Sequence, residues 1–74
     1  MNNYLDMYVK HFDLKMITNI HNEDLLYDRD GNFVAFINKD DPGTFNYINR
    51  NFGVTQCKVS DLILCILNNI PTHG

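Results

Sequence analysis

The sequence predicts a small α+β domain with an N-terminal helix, an antiparallel β-hairpin or three-stranded meander, and two C-terminal helices. Three observations lead to this prediction. Apolar residues recur at helical spacing near the N-terminus, two apolar runs flank an Asp-Arg-Asp-Gly turn, and a glycine separates two apolar segments further on. The 74 residues correspond to one domain, residues 1–74, near the smallest size at which a hydrophobic core suffices.

The first predicted element is an amphipathic helix from Tyr4 to Phe12. Its apolar residues recur three and four positions apart, as on one face of a helix: Leu5, Tyr8, Val9 and Phe12. From Asp13 to Ile20, apolar and polar residues largely alternate, which favours a strand. Ile17 breaks this alternation, and a continued helix fits the first few of these residues as well.

The clearest local pattern is a hairpin from Asp24 to Asn38. Asp28 suits the first position of a type I turn, and Gly31 suits the left-handed position after it, so a hairpin with a glycine bulge is expected. Strict alternation assigns the apolar residues to two faces, Leu25, Tyr27, Phe33, Ala35 and Ile37 on one, and Leu26, Val34 and Phe36 on the other. Both faces are partly apolar. One should pack on the helices, and the other meets a partner or the first helix.

Two helices are predicted for the C-terminal half. Asp41 and Pro42 are a typical acidic cap and first helical position, and Gly53 is a typical C-terminal cap. One face of this first helix would carry Phe45, Ile48, Asn49 and Phe52. The last helix would end near Ile70 and begin either at Gln56 or at Asp61.

Apolar residues around Gly53 also have the spacing of a known DNA-binding motif. They are Ile48 and Phe52 before the glycine, and Val54, Val59 and Leu62 after it. The stretch from Phe45 to Leu64, about a quarter of the chain, resembles the helix-turn-helix family at these places and at the glycine itself. The sequence departs from the family at Asn49, where a small residue usually stands. The resemblance implies a C-terminal half that reads duplex DNA, with Thr55, Gln56, Lys58, Ser60 and Arg50 as the contacting residues.

The charge distribution argues against tight binding to DNA. The formal net charge is −3, with −4 in residues 1–41 and +1 in residues 42–74. DNA-binding surfaces usually carry several cations that neutralise phosphates. Neither half of this chain has such a patch.

Other kinds of site are poorly supported. The Asp28–Gly31 segment resembles a calcium loop, but the outer ligand positions would fall on Leu26 and Ile37, whose side chains cannot coordinate. The cysteines and histidines have no zinc spacing, and no catalytic motif is present, so no metal, no cofactor and no enzymatic activity are expected. Two cysteines, no secretory leader and no membrane-length apolar run predict a cytoplasmic protein with reduced thiols.

Two functions therefore stand as hypotheses. The first is a small regulatory protein of phage or bacterial type that controls transcription through the helix-turn-helix-like half. The second is an inhibitor or adaptor that blocks a host enzyme or defence protein through an acidic and aromatic surface at Asp24, Asp40, Asp41 and Phe36. In either case the apolar run Leu62 to Leu67 is expected either to be buried between the hairpin and the other helices or to form a homodimer contact through Leu64 and Leu67.

Overall fold

The computed structural model describes residues 3–71 and contains a five-stranded antiparallel sheet with one helix before it and one after it. The elements are α1 (Asn3–His11), β1 (Lys15–Thr18), β2 (Glu23–Tyr27), β3 (Phe33–Asn38), β4 (Thr44–Asn49), β5 (Gly53–Lys58), a 3-10 turn (Val59–Asp61) and α2 (Leu62–Asn68). The strands lie in the sheet in chain order, so each one pairs with the next through a short turn. The predicted α+β class is correct, but the predicted three strands and two C-terminal helices are wrong.

Both helices pack on the same face of the sheet and on each other. Tyr8 of α1 is completely buried, and its ring meets the ring of Phe45 at 5.2 Å between centroids in an edge contact. Leu5 of α1, Val59 of the 3-10 turn and Leu62 of α2 complete this layer. The sheet contributes Leu26, Val34, Ala35, Ile37 and Phe45 to the same core. The predicted apolar stripe of α1 is therefore its buried face.

The central hairpin forms where it was predicted, but its register is irregular. Gly31 has a φ of 85°, as the predicted left-handed position requires. The pairing of Leu26 with Ala35 is followed by Tyr27 with Phe33, so Val34 is an extra residue in a β-bulge. Val34 and Ala35 are therefore both buried on the helix side. The predicted assignment of faces, which assumed strict alternation, is wrong because of this bulge.

The segment predicted as the first C-terminal helix is β4. Its side chains alternate between faces, since Phe45 packs against α1 while Asn46 bonds to Gln56 on the opposite side. Gly53 lies in the following turn and strand start with a φ of 74° rather than at a helix end. The helix-turn-helix prediction is wrong, because residues 53–58 form a strand hydrogen-bonded along β4.

The last helix begins close to the later of its two predicted starts. A 3-10 turn covers Val59–Asp61, and α2 then runs from Leu62 to Asn68. Asn69 ends the helix in the left-handed conformation, with a φ of 52°, and its N–H caps the last carbonyls. Because α2 is so short, it covers the sheet only together with α1.

Candidate functional site

The face of the sheet opposite the helices is uncovered by any described element. We call it the open face. The strand register and the alternation of side chains place seven apolar residues on it: Ile17, Leu25, Tyr27, Phe33, Phe36, Ile48 and Val54. Val54 is 59% exposed and Ile17 is 48% exposed, whereas the buried apolar residues of the strands lie on the helix side. An apolar sheet face of this kind is normally buried against something.

Three aromatic rings form the centre of one half of the open face. Phe33 meets Tyr27 edge-on at 5.7 Å between centroids and lies nearly parallel to Phe36 at 6.3 Å. The β-bulge brings Phe33 and Phe36 onto the same side although they are three residues apart. The rings support one another and remain partly exposed. Aromatic side chains held in place in this way are typical of the energetic centre of a protein interface.

A pair of amides lies in the other half. Asn46 is 6% exposed, and its Oδ1 accepts a hydrogen bond of 2.9 Å from Nε2 of Gln56. Its Nδ2 donates to the carbonyl of Phe36 over 3.4 Å. Gln56 is exposed and shares the open face with Val54 and Ile48. The pair places hydrogen-bonding amides within an apolar surface. Directional hydrogen bonds to these amides would fix the orientation of a bound partner.

The open face carries few charges. The register places Lys15, Glu23 and Lys58 on it, whereas most acidic residues lie in α1, the turns and the 3-10 segment. The net charge of −3 is therefore concentrated away from this surface. A weakly charged apolar centre bordered by charged residues has the composition of a protein-binding surface.

The predicted acidic surface is divided by the fold. Asp24 faces the helix side, where its carboxylate accepts a hydrogen bond of 2.7 Å from Thr18 and lies 3.7 Å from the ammonium of Lys39. Asp40 and Asp41 are exposed in the turn after β3, and Asp40 accepts a hydrogen bond from Asn22. Phe36 is on the open face. The prediction grouped these four residues, but only Phe36 belongs to the open face.

The five residues predicted to contact DNA are also dispersed. Thr55 and Gln56 are consecutive residues of β5, so their side chains project from opposite faces. Lys58 ends the strand, Ser60 is in the 3-10 turn, and Arg50 is in the turn between β4 and β5. Among the residues that the structure describes, they do not lie together on a recognition helix.

The predicted dimer residues lie outside the core. Leu64 and Leu67 of α2 are exposed, at 56% and 73%, while Leu62 of the same helix is buried. Contact with a second chain through them stays a prediction. The open face itself was not predicted as a unit, although the alternation in Thr44–Asn49 and Gly53–Lys58 was the available signal.

The two cysteines are half-buried free thiols on the helix side of the sheet. Burial raises the pKa of Cys57 to about 11, and the nearby Cys65 and Asp61 add to the effect. Burial also raises the pKa of Cys65. Such thiols stay protonated at neutral pH and are weak nucleophiles.

Within residues 3–71, His, Cys, Asp and Glu side chains form no group of three suited to a metal ion. In the same part of the chain, the helices are too short or too polar to cross a membrane. The chain matches no family model, and no curated protein or solved structure is significantly similar to it.

Proposed function

We propose that this protein is a non-enzymatic binding module, an inhibitor or adaptor that attaches to another protein through its open face. The observation that carries the proposal is the contiguous apolar and aromatic surface on a sheet whose other face is already covered by both helices. Leaving such a surface in water is unfavourable by roughly 25 cal/mol for each Å² of apolar area, and a partner would relieve this.

The size of the face limits what the partner can be. Four strand spacings of about 4.8 Å and six residues of about 3.3 Å describe a flat area of roughly 20 by 20 Å. A stable interface takes about 800 Å² of accessible surface from each partner. The open face could supply about half of this, so the partner would also touch the surrounding turns or a second copy of the chain.

Transcription control is the less supported function. The DNA-reading hypothesis depended on a recognition helix at residues 56–61, but β5 occupies the first half of that segment and a 3-10 turn the second half. Among the described residues, the register places only two cations on the open face, Lys15 and Lys58, which is fewer than a duplex DNA surface usually requires. A protein partner fits the aromatic rings and the exposed amide better than a phosphate backbone does.

The experiment is a capture assay with immobilised protein in bacterial lysate, followed by quantitative mass spectrometry. Ile48→Lys and Val54→Lys each place a charge on an exposed position of the open face. Leu67→Lys is the matched control, since Leu67 is an exposed apolar residue on α2. We expect the wild type and the control to capture the same protein. The captured amount should fall at least tenfold with each of the two open-face variants.

Two results would contradict the proposal. Capture that is unchanged by Ile48→Lys and Val54→Lys would exclude the open face. Loss of capture only with Asp40→Lys and Asp41→Lys would instead assign binding to the acidic turn. Circular dichroism of each variant establishes that the fold is retained, and a fluorescent duplex titrated at low salt tests the DNA hypothesis directly.

A further inference from the structure

The first strand forms an edge of the sheet that is unusually open. All four residues of β1, Lys15–Thr18, are exposed, including Met16, which lies on the helix side. β1 pairs only with β2 among the described strands. An open strand edge presents backbone donors and acceptors that can pair with another strand.

The hydrogen-bonding pattern identifies the outward groups. The amide of Asn19 donates to the carbonyl of Glu23 over 2.9 Å. Hydrogen-bonded and non-bonded pairs alternate in an antiparallel ladder, so Ile17 and Lys15 also bond to β2. The N–H and C=O groups of Met16 and Thr18 consequently point away from the sheet, and no backbone bond from another described residue reaches them.

We propose that β1 pairs antiparallel with β1 of a second copy of this chain, which joins the two sheets into one. The register that uses every outward group sets Met16 opposite Thr18 of the second copy, and Thr18 opposite its Met16. Ile17 then faces its own counterpart on the two-fold axis as a non-bonded pair. This proposal does not depend on the proposed function.

The same register suits the charges and the apolar residues of the strand. Lys15 falls opposite the uncharged Asn19 of the second copy, so no like charges meet. Ile17 is 48% exposed, and the pairing places it against Ile17 of the second copy. The pairing therefore gives an exposed isoleucine an apolar neighbour.

The opposite edge, β5, fits a second copy less well. By the same alternation, the hydrogen bond from the amide of Val59 to the carbonyl of Gly43 leaves Val54, Gln56 and Lys58 with outward groups. Lysine on an edge strand is a common device against pairing, and Lys58 is an outward residue of β5, whereas the backbone groups of Lys15 in β1 bond towards β2. Gln56 is already engaged with Asn46. On β1, both outward residues are uncharged.

The pairing has a consequence for the open face. A two-fold axis perpendicular to the sheet keeps both open faces on the same side. Ile17 of each chain lies at the junction, so the two apolar surfaces become continuous. The combined area would reach that of a standard protein interface.

Disulfide trapping tests the pairing in the purified protein. Residues in a non-bonded antiparallel pair have Cα atoms about 4.5 Å apart, which is within the range that a disulfide spans. Ile17→Cys should therefore give a covalent dimer with oxidised glutathione, which accepts the two electrons and two protons of the thiols. Val54→Cys, an exposed position on the other edge, is the matched control, and the wild type controls for Cys57 and Cys65.

A second variant measures association without a cross-link. Met16→Pro removes an outward N–H but no hydrogen bond to β2, so the fold should persist. We expect sedimentation equilibrium to show that Met16→Pro and Ile17→Lys each lower the affinity of dimerisation at least tenfold. Val54→Lys should leave this affinity unchanged. A wild type that stays monomeric at millimolar concentration would overturn the proposal, as would cross-linking of Val54→Cys alone or dissociation caused only by Leu64→Lys.

Discussion

Phe45 and Phe52 provide the sharpest test of the fold. A helix over this segment would put both rings on one buried face, whereas the structure buries Phe45 completely and leaves Phe52 80% exposed in a turn. Replacing a fully buried phenylalanine with alanine costs about 3–5 kcal/mol, because transfer energy is lost and a cavity remains. At about 0.05–0.15 kcal/mol per residue, the free energy of unfolding of this chain is about 4–11 kcal/mol. Phe45→Ala should thus remove a large part of the stability.

Urea unfolding followed by circular dichroism measures the difference. The exposed Phe52→Ala should change the free energy of unfolding by less than about 0.5 kcal/mol. If Phe45→Ala does not fold, Phe45→Leu removes less volume and should cost about 1–2 kcal/mol. Comparable losses for Phe52→Ala and Phe45→Ala would refute the strand assignment, provided that the slope of the unfolding curve stays the same.

Two further predictions concern the backbone and the thiols. Gly53→Ala should destabilise the protein by about 1–2 kcal/mol, because the φ of 74° strains any residue with a Cβ. Gly43→Ala, where a Cβ also meets no atom within 4 Å and φ is not in the left-handed region, should have a much smaller effect in the same urea assay. Equal effects would contradict the reasoning. The pKa of Cys57, raised by burial from 9.0 to about 11, keeps its thiol protonated in the folded state after the unfolded thiol has ionised. Stability should therefore fall as the pH rises from about 9 to about 11, and the fall should be shallower in Cys57→Ala; identical pH profiles would show that Cys57 is not the cause.

The parts of the fold that depend on local pattern were predictable. The stripe of Leu5, Tyr8 and Phe12 identified α1, and the turn at Asp28–Gly31 identified the central hairpin. The β-bulge at Val34 was not predictable from the sequence, because an extra residue in a strand depends on the pairing of its neighbours. This one residue changed which side chains reach the open face. The apolar residues of the hairpin were therefore assigned to the wrong faces, although the hairpin itself was predicted correctly.

The C-terminal half shows why a spacing pattern can mislead. Phe45, Ile48 and Phe52 suit a helical face, but Phe45 and Tyr47 also alternate with Asn46 and Ile48 as in a strand. A short segment with both periods is decided by what it packs against. Here β3 was already present to pair with β4, and the ring of Tyr8 covers Phe45.

By itself, the sequence determined the α+β class, the N-terminal helix, the central turn and the end of the last helix, because each depends on residues close together in the chain. The tertiary structure decided that two glycine-linked apolar segments became strands, and that both helices cover the same face. Those outcomes follow from strand pairing and from burial against the helices, whose free energy exceeds local helix preference. The open face, and with it the proposed binding function, exists only as a product of that packing.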